Sequence, residues 1–264
     1  MSHSPARSSS SPLHPTSPTA GHPTNYPQFV LLGDSITQLS SLALTARLSE
    51  WYSRRLDVIN RGFSGYTAPM GFEVLQQFFP TDSVPSPTVP RVQLMTIFFG
   101  ANDACVPGHP QHVPLQRYMS SLKDIIHHQG LRRHDTQVIL ITPPPVDEYQ
   151  LGSPDRTAEH TAKYARAAHQ VGQDCHLPVL DLWTIFMRKA GWTEGSTDAL
   201  AGSKDAPRSE VLADLLVDGL HFTATGYDLM FDELVKVIEQ DLPGHAPERL
   251  PMVFPDWKDR LGVQ

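Results

Sequence analysis

The chain has 264 residues, 40% of them hydrophobic, a formal net charge of -7 and a sequence pI of about 6.0. That length favours one medium-sized domain or two small ones, with enough apolar residues for a sizeable core. The acidic balance and scattered basic residues argue against nucleic acid or an anionic membrane as the main partner.

Two cysteines, Cys105 and Cys175, are too few for a disulfide scaffold. None of the three asparagines, Asn25, Asn60 and Asn102, sits in a glycosylation sequon. No apolar stretch approaches the roughly 18 to 20 residues of a membrane span, and the N-terminus lacks the apolar segment of a signal peptide. These features predict a reducing, cytoplasmic setting without membrane insertion.

Residues 1–26 hold seven Ser and five Pro with almost no large apolar side chain. Such a segment cannot bury enough surface to offset its ordering entropy and is expected to be a disordered tail. Residues 27–264 are expected to form one globular domain. Strand and helix patterns alternate through it. Strands are predicted at 29–32, 56–60, 93–99, 138–141 and 179–181. Helices are predicted at 39–54, 68–79, 114–128, 157–174 and 223–240, with a short one at 207–215. The helix near 114–128 shows the clearest 3.6-residue period, in Leu115, Tyr118, Met119, Leu122, Ile125 and Ile126. Segment 192–208 reads as a loop. Five short apolar strands separated by helices predict an α/β fold, a five-stranded parallel sheet covered on both faces, with strand one flanked by strands two and three. Ligands bind such sheets beyond the carboxyl ends of the strands. Ser35, the Gly62–Gly65 segment and Gly100-Ala101-Asn102-Asp103 directly follow strands one, two and three, so all three should line one rim.

Ser35 follows Gly33-Asp34 at a strand-to-helix turn, where free N–H groups favour developing negative charge. Ser or Asp before a helix is also an ordinary N-cap. The Asp218-Gly219-Leu220-His221 segment places a carboxylate three residues from an imidazole, close enough to fix its tautomer. A surface turn would read the same way, and Asp with His also raises a metal, but no third or fourth ligand stands at recognisable spacing. Asn102 carries two amide donors and could serve an oxyanion or merely an Asx turn. Gly65 could offer an unobstructed backbone N–H. Cys105 has no base placed for it and reads as a buried bystander; His109, His112, His127 and His128 read as solvated or structural. Gly62-Phe63-Ser64-Gly65 lacks the last glycine of a nucleophile elbow, so Ser64 is not a nucleophile candidate.

The order of these segments is more specific than any one of them. Gly33-Asp34-Ser35-Ile36-Thr37, a glycine after strand two, Gly100-Ala101-Asn102-Asp103, and Asp218-Gly219-Leu220-His221 together resemble the SGNH (GDSL-type) hydrolase family, over residues from about 28 to 240. Gly33 to Gln38, Asn60 to Thr67, Gly100 to Ala104, Asp218 to Phe222 and the tail Phe254-Pro255-Asp256-Trp257 are similar to the isoamyl acetate-hydrolysing esterase subfamily. The resemblance implies a flavodoxin-like three-layer α/β/α fold. It implies a triad of Ser35, His221 and Asp218, with an oxyanion hole of the Ser35 and Gly65 N–H groups and the Asn102 amide. It implies hydrolysis of short-chain acyl esters of small alcohols through an acyl-enzyme on Ser35, with no metal and no organic cofactor. The Ser/Pro-rich 1–26 segment and the Gly/Ser/Asp-rich 192–208 loop lie outside the shared pattern. An acyltransferase of the same fold would use the same acyl-enzyme. A non-catalytic binding module is the reading from another class, against which every catalytic position is occupied. The expected partner is a small-molecule ester, and a homo-oligomer is compatible with the sequence.

Overall fold

The structure, a computed structural model, describes residues 25–79 and 81–263. The expected tail at 1–26 lies almost wholly outside the described residues. Five strands form one sheet: β1 (Gln28–Gly33), β2 (Asp57–Gly62), β3 (Val92–Phe98), β4 (Gln137–Ile141) and β5 (Val179–Leu180). Their order is β2-β1-β3-β4-β5, all parallel, with β1 between β2 and β3 as expected.

Alternation along the strands sorts the core into two layers. Phe29, Leu31, Leu94, Ile139 and Ile141 face one side. There they meet α2 (Leu44–Trp51), α7 (Leu182–Lys189), α8 (Glu210–Leu215) and α9 (Ala224–Asp241). Val30, Leu32, Met95, Ile97 and Leu140 face the other, against α3 (Ala68–Phe78), α4 (Leu115–Ile126), α5 (Gln129–His134) and α6 (Ala158–Asp174). The sandwich therefore has the three layers that the strand–helix alternation implies.

The expected helix at 39–54 is broken. After a four-residue helix α1 (Ser35–Gln38) the chain tightens into a 3-10 turn (Leu39–Leu42) and restarts as α2. The Ser40 hydroxyl donates to the Thr37 carbonyl and the Asn60 amide donates to the same oxygen at 2.8 Å, offering that carbonyl partners outside a helix ladder. Two helices between the expected ones were not foreseen, nor was a third beyond the last of them. One is α5, capped by the His128 ring, which accepts from the Gly130 N–H. The other is α7, capped by Asp181, whose carboxylate accepts from the Thr184 N–H. A last short helix, α10 (Trp257–Leu261), follows a C-terminal segment tied to the α2–β2 turn. The Arg54 guanidinium donates there to the Phe254 and Pro255 carbonyls and pairs with Asp256.

α1 is seated directly on the end of β2. Gly62 lies so close to it that a Cβ there would sit 2.0 Å from the Gln38 nitrogen and 2.6 Å from the Thr37 carbonyl carbon. Gly62→Ala should therefore destabilise the fold by ~1–3 kcal/mol, the range for overpacking against atoms that cannot move aside, read as a lower midpoint in thermal or urea unfolding.

Two carboxyls are buried beneath the same rim. Asp34 is 1% exposed and accepts from the Ile36 N–H; Asp103 is fully buried and accepts from the Ala68 N–H with Oδ1 while its Oδ2 has no partner among the described residues. Burial pushes both up to about 7, against hydrogen bonds that pull them down. Raised folded-state values favour the protonated form in the folded protein. Their stabilising contribution is thus complete below pH ~4 and is lost as pH rises through ~7. Denaturant titrations of Asp103→Asn and wild type should diverge across that window, the variant gaining on wild type by up to about 1.4 kcal/mol per pH unit. Parallel curves would show that Asp103 is ionised in the folded protein at ordinary cost.

Candidate active site

The parallel register fixes where the three loops end. Gly33 pairs with Gly62 on one side and with Phe98 on the other, so β1, β2 and β3 stop at one level. Ser35, Gly65 and Asn102 leave that level together. Ser35 opens α1, with Asp34 as N-cap, so the capping and the candidate-nucleophile readings apply to adjacent residues rather than competing for one. The Gln38 side chain accepts from the Ser64 N–H at 2.8 Å, pinning the β2 loop to α1.

The Asp218–His221 segment arrives from the far end of the chain. It is a tight turn between Leu216 and Phe222, which form an isolated antiparallel bridge. Gly219 holds a φ of +83°, and a side chain there would also strike the Asp147 carbonyl at 2.4 Å. α8 has already ended at Leu215, so Gly219 serves the turn alone. The turn folds the Asp218 carboxylate back on its own backbone. Oδ1 accepts from the Leu220 and His221 N–H groups at 3.1 and 2.8 Å, and Oδ2 accepts from His221 Nδ1 at 2.8 Å. Partial burial pulls the Asp218 carboxyl up, but these hydrogen bonds and the facing imidazole outweigh it and hold it below the usual carboxylate range. With Nδ1 donating to Asp218, the other ring nitrogen is the acceptor. His221 Nε2 stands 2.8 Å from Ser35 Oγ. The Tyr227 hydroxyl donates to the Ile36 carbonyl at 2.6 Å, joining α9 to α1 so that the two halves are held at this spacing.

Neither the Ser35 nor the Gly65 N–H finds an acceptor among the described residues. Gly65 has φ of +79°, a conformation glycine adopts without strain. The Asn102 amide donates to the Tyr66 carbonyl at 2.9 Å, which leaves its second N–H available. Its oxygen accepts from Gln111 and Arg156, so the side chain is not engaged in an Asx turn of its own. A serine hydroxyl on an imidazole, beside free N–H donors at a helix N-terminus, can attack a carbonyl carbon and stabilise the oxyanion that forms.

Other sequence candidates lie apart from this relay. Cys105 is buried, and desolvation pushes its thiol up to about 11, away from the reactive thiolate. A base does stand near it, contrary to the sequence reading: Cys105, His109 and Asp155 bring ligand atoms within 4.8 Å of one another. One Asp155 oxygen is already paired with Arg156 at 3.0 Å, which places a fixed positive charge against that cluster. His128 is buried and structural rather than solvated. Loop 143–156 backs the Asp218–His221 turn through the Asp147 N–H, which donates to the Gly219 carbonyl. Loop 192–208 stands one layer further out, where the Gly202 carbonyl accepts from the Glu148 N–H. Arg156 and Gln111 escaped the sequence reading because a lone arginine and a lone glutamine in loops carry no periodic or motif signal.

Comparison with known proteins agrees with this architecture. A family model described as the GDSL-like Lipase/Acylhydrolase family matches residues 31–229. The chain is 30% identical over 258 residues to the isoamyl acetate-hydrolyzing esterase of Saccharomyces cerevisiae, covering 90% of this chain and 96% of that one. It is 34% identical over 256 residues to the isoamyl acetate-hydrolyzing esterase 1 homolog of Bos taurus, covering 91% and 90%. Among solved structures, a lipase/acylhydrolase from Enterococcus faecalis superimposes with a TM-score of 0.60 at 25% identity, covering 86% of this chain and 98% of that chain. An acetylxylan esterase from Geobacillus stearothermophilus shares the fold at 16% identity, with a TM-score of 0.57 over 80% of this chain and 94% of that chain. Match length, identity and shared fold agree: the chain belongs to the GDSL-like lipase/acylhydrolase family and is a carboxylic ester hydrolase.

Proposed function

We propose that this chain is a serine esterase for short-chain acyl esters of small alcohols, acetates foremost. The observation that carries the reading is the pair of 2.8 Å contacts linking Ser35 Oγ, His221 and Asp218 beside unpaired N–H donors. Ser35 Oγ attacks the ester carbonyl carbon while His221 Nε2 takes its proton. The oxyanion is held by the Ser35 and Gly65 N–H groups and the second N–H of Asn102. As the tetrahedral intermediate collapses, His221 returns the proton to the departing alkoxide, leaving an acyl-Ser35. Water then attacks the acyl carbonyl as His221 takes its proton; the second intermediate collapses with Ser35 Oγ as leaving group, His221 returns the proton to it, and the free acid departs and ionises. Asp218 keeps the proton on Nδ1 and offsets the charge the ring acquires. No step draws on a metal or cofactor.

The short-acyl preference is supported by the names of the yeast and bovine relatives, which specify isoamyl acetate. Hydrolysis rather than acyl transfer is supported by the family's description as a lipase/acylhydrolase, and the His221 side chain, 25% exposed, lies within reach of water. Among the described residues no helix is long and apolar enough to cross a membrane. Both cysteines are free, which fits a reducing, cytoplasmic setting.

The test is a p-nitrophenyl ester series from acetate to decanoate. Activity should fall with acyl length, and Ser35→Ala should abolish it without lowering the unfolding midpoint. Asn102→Ala should lower kcat by ~100-fold or more with a smaller change in KM, because the oxyanion exists only beyond the ground state. Asp218→Asn should cost kcat by up to ~10⁴-fold through loss of the correct tautomer. A folded Ser35→Ala variant with undiminished turnover would remove the acyl-enzyme from the scheme. An alcohol acceptor added to the assay should yield little transester beside the free acid.

A further inference from the structure

Arg156 is an odd residue to find beneath this rim. Its side chain is 7% exposed, yet its charge is not spent on a single ion pair. Nη1 pairs with Asp155 at 3.0 Å, Nε donates to the Ala101 carbonyl at 2.8 Å, and Nη2 donates to Asn102 Oδ1 at 3.0 Å. Two of the three nitrogens therefore serve the Ala101–Asn102 segment. Gln111 completes the pattern. Its amide donates to the Gly65 carbonyl at 2.8 Å and to Asn102 Oδ1 at 3.2 Å.

We propose that Arg156 and Gln111 are positioning residues that set the oxyanion hole: they fix which end of the Asn102 amide faces the ester and lock the Gly65 loop to it. This rests on the assignment of Ser35, Gly65 and Asn102 made above. The physical case begins with the amide. The two ends of an asparagine side chain are nearly isosteric, so shape alone does not orient it. A guanidinium has donors and no acceptor, so Asn102 Oδ1 must face Arg156 and Nδ2 must face the Tyr66 carbonyl and the rim. A flipped amide would present a carbonyl oxygen to the developing oxyanion, converting attraction into repulsion. The positive charge also draws electron density from Oδ1 and strengthens the opposite N–H as a donor, an effect enlarged by burial. Gln111 adds the coupling between loops. It holds the carbonyl of the residue whose N–H is the second donor, while Asn102 holds the next carbonyl, Tyr66. The β2 and β3 loops thus move as one piece. Neither side chain needs to touch the ester.

The experiment measures kcat and KM on p-nitrophenyl acetate for Asn102→Ala, Arg156→Met, Arg156→Lys and Gln111→Met. It adds the doubles Asn102→Ala/Arg156→Met and Asn102→Ala/Gln111→Met, with unfolding midpoints for all. Displacement of a catalytic donor by about 1 Å costs on the order of 100-fold, so Arg156→Met should lower kcat ~10- to 100-fold with KM much less affected. Arg156→Lys should recover only part of the loss, since one ammonium cannot reproduce the fork. Gln111→Met should show the same kcat-selective pattern, and it supplies the test if Arg156→Met does not fold. In the Asn102→Ala background each substitution should cost little more, because the group it positions is gone. Full kcat in folded Arg156→Met and Gln111→Met, or losses that simply multiply in the doubles, would overturn the proposal while leaving the oxyanion hole standing. Full kcat in Asn102→Ala would instead remove the hole itself, and the positioning role with it.

Discussion

Everything at this site hangs on the height at which three parallel strands stop. Gly33, at the end of β1, is level with Gly62 of β2 and Phe98 of β3. A one-residue slip in either pairing would turn the strand's apolar set to the wrong face, so the register is enforced by both core layers at once. The site inherits that precision. Serine, glycine and asparagine loops leave a common plane without long spacers in which error could accumulate. The glycines are the visible cost: Gly33 and Gly62 sit where side chains would collide with α1 or with the next strand.

Above this plane the chemistry is held by polar contacts between loops more than by apolar packing. Gln38 grips the β2 loop, Asn60 grips α1, Tyr227 grips α1 from the opposite layer, and Asp103 caps α3 across the rim. Buried hydrogen bonds of this kind cost much when one partner is missing, so the network favours one arrangement over many near alternatives. Within the proposed triad exposure rises from the buried Ser35 to His221 and then Asp218. Asp218 is half exposed yet keeps both oxygens occupied, its orientation set by its own turn and not by a buried pocket.

Much of this was legible in the chain. The β1-central sheet followed from apolar runs alternating with amphipathic helices, whereas Ser35, Gly65, Asn102, Asp218 and His221 each had an ordinary cap or turn reading and were set apart only by the order of their segments, which resembles that of the SGNH hydrolases. What was hidden obeys a different physics. The break between α1 and α2 depends on Ser40 and Asn60 competing for the Thr37 carbonyl, a contact spanning loops that no window can see. Helices α5 and α7 are six and eight residues long, too short for periodicity to register, although Asp181 and His128 are serviceable caps. The thirteen histidines look alike in sequence and part company only in three dimensions. His134, for example, accepts from the Val92 N–H and is a structural tie of β3, while His221 faces the serine. Arg156 and Gln111 gain meaning only from the carbonyls that the fold brings to them.

The bond between Ser35 and His221 spans 186 positions of the chain. The strand leading to Ser35 is therefore made long before the turn that carries His221, and the contact waits until the chain between them has been made and folded. Until α9 docks on α1, Ser35 lacks the imidazole contact and is an alcohol like any other. In the proposed scheme hydrolytic competence therefore waits on tertiary closure: a chain whose α7–α9 layer has not packed on the sheet lacks the base that Ser35 needs.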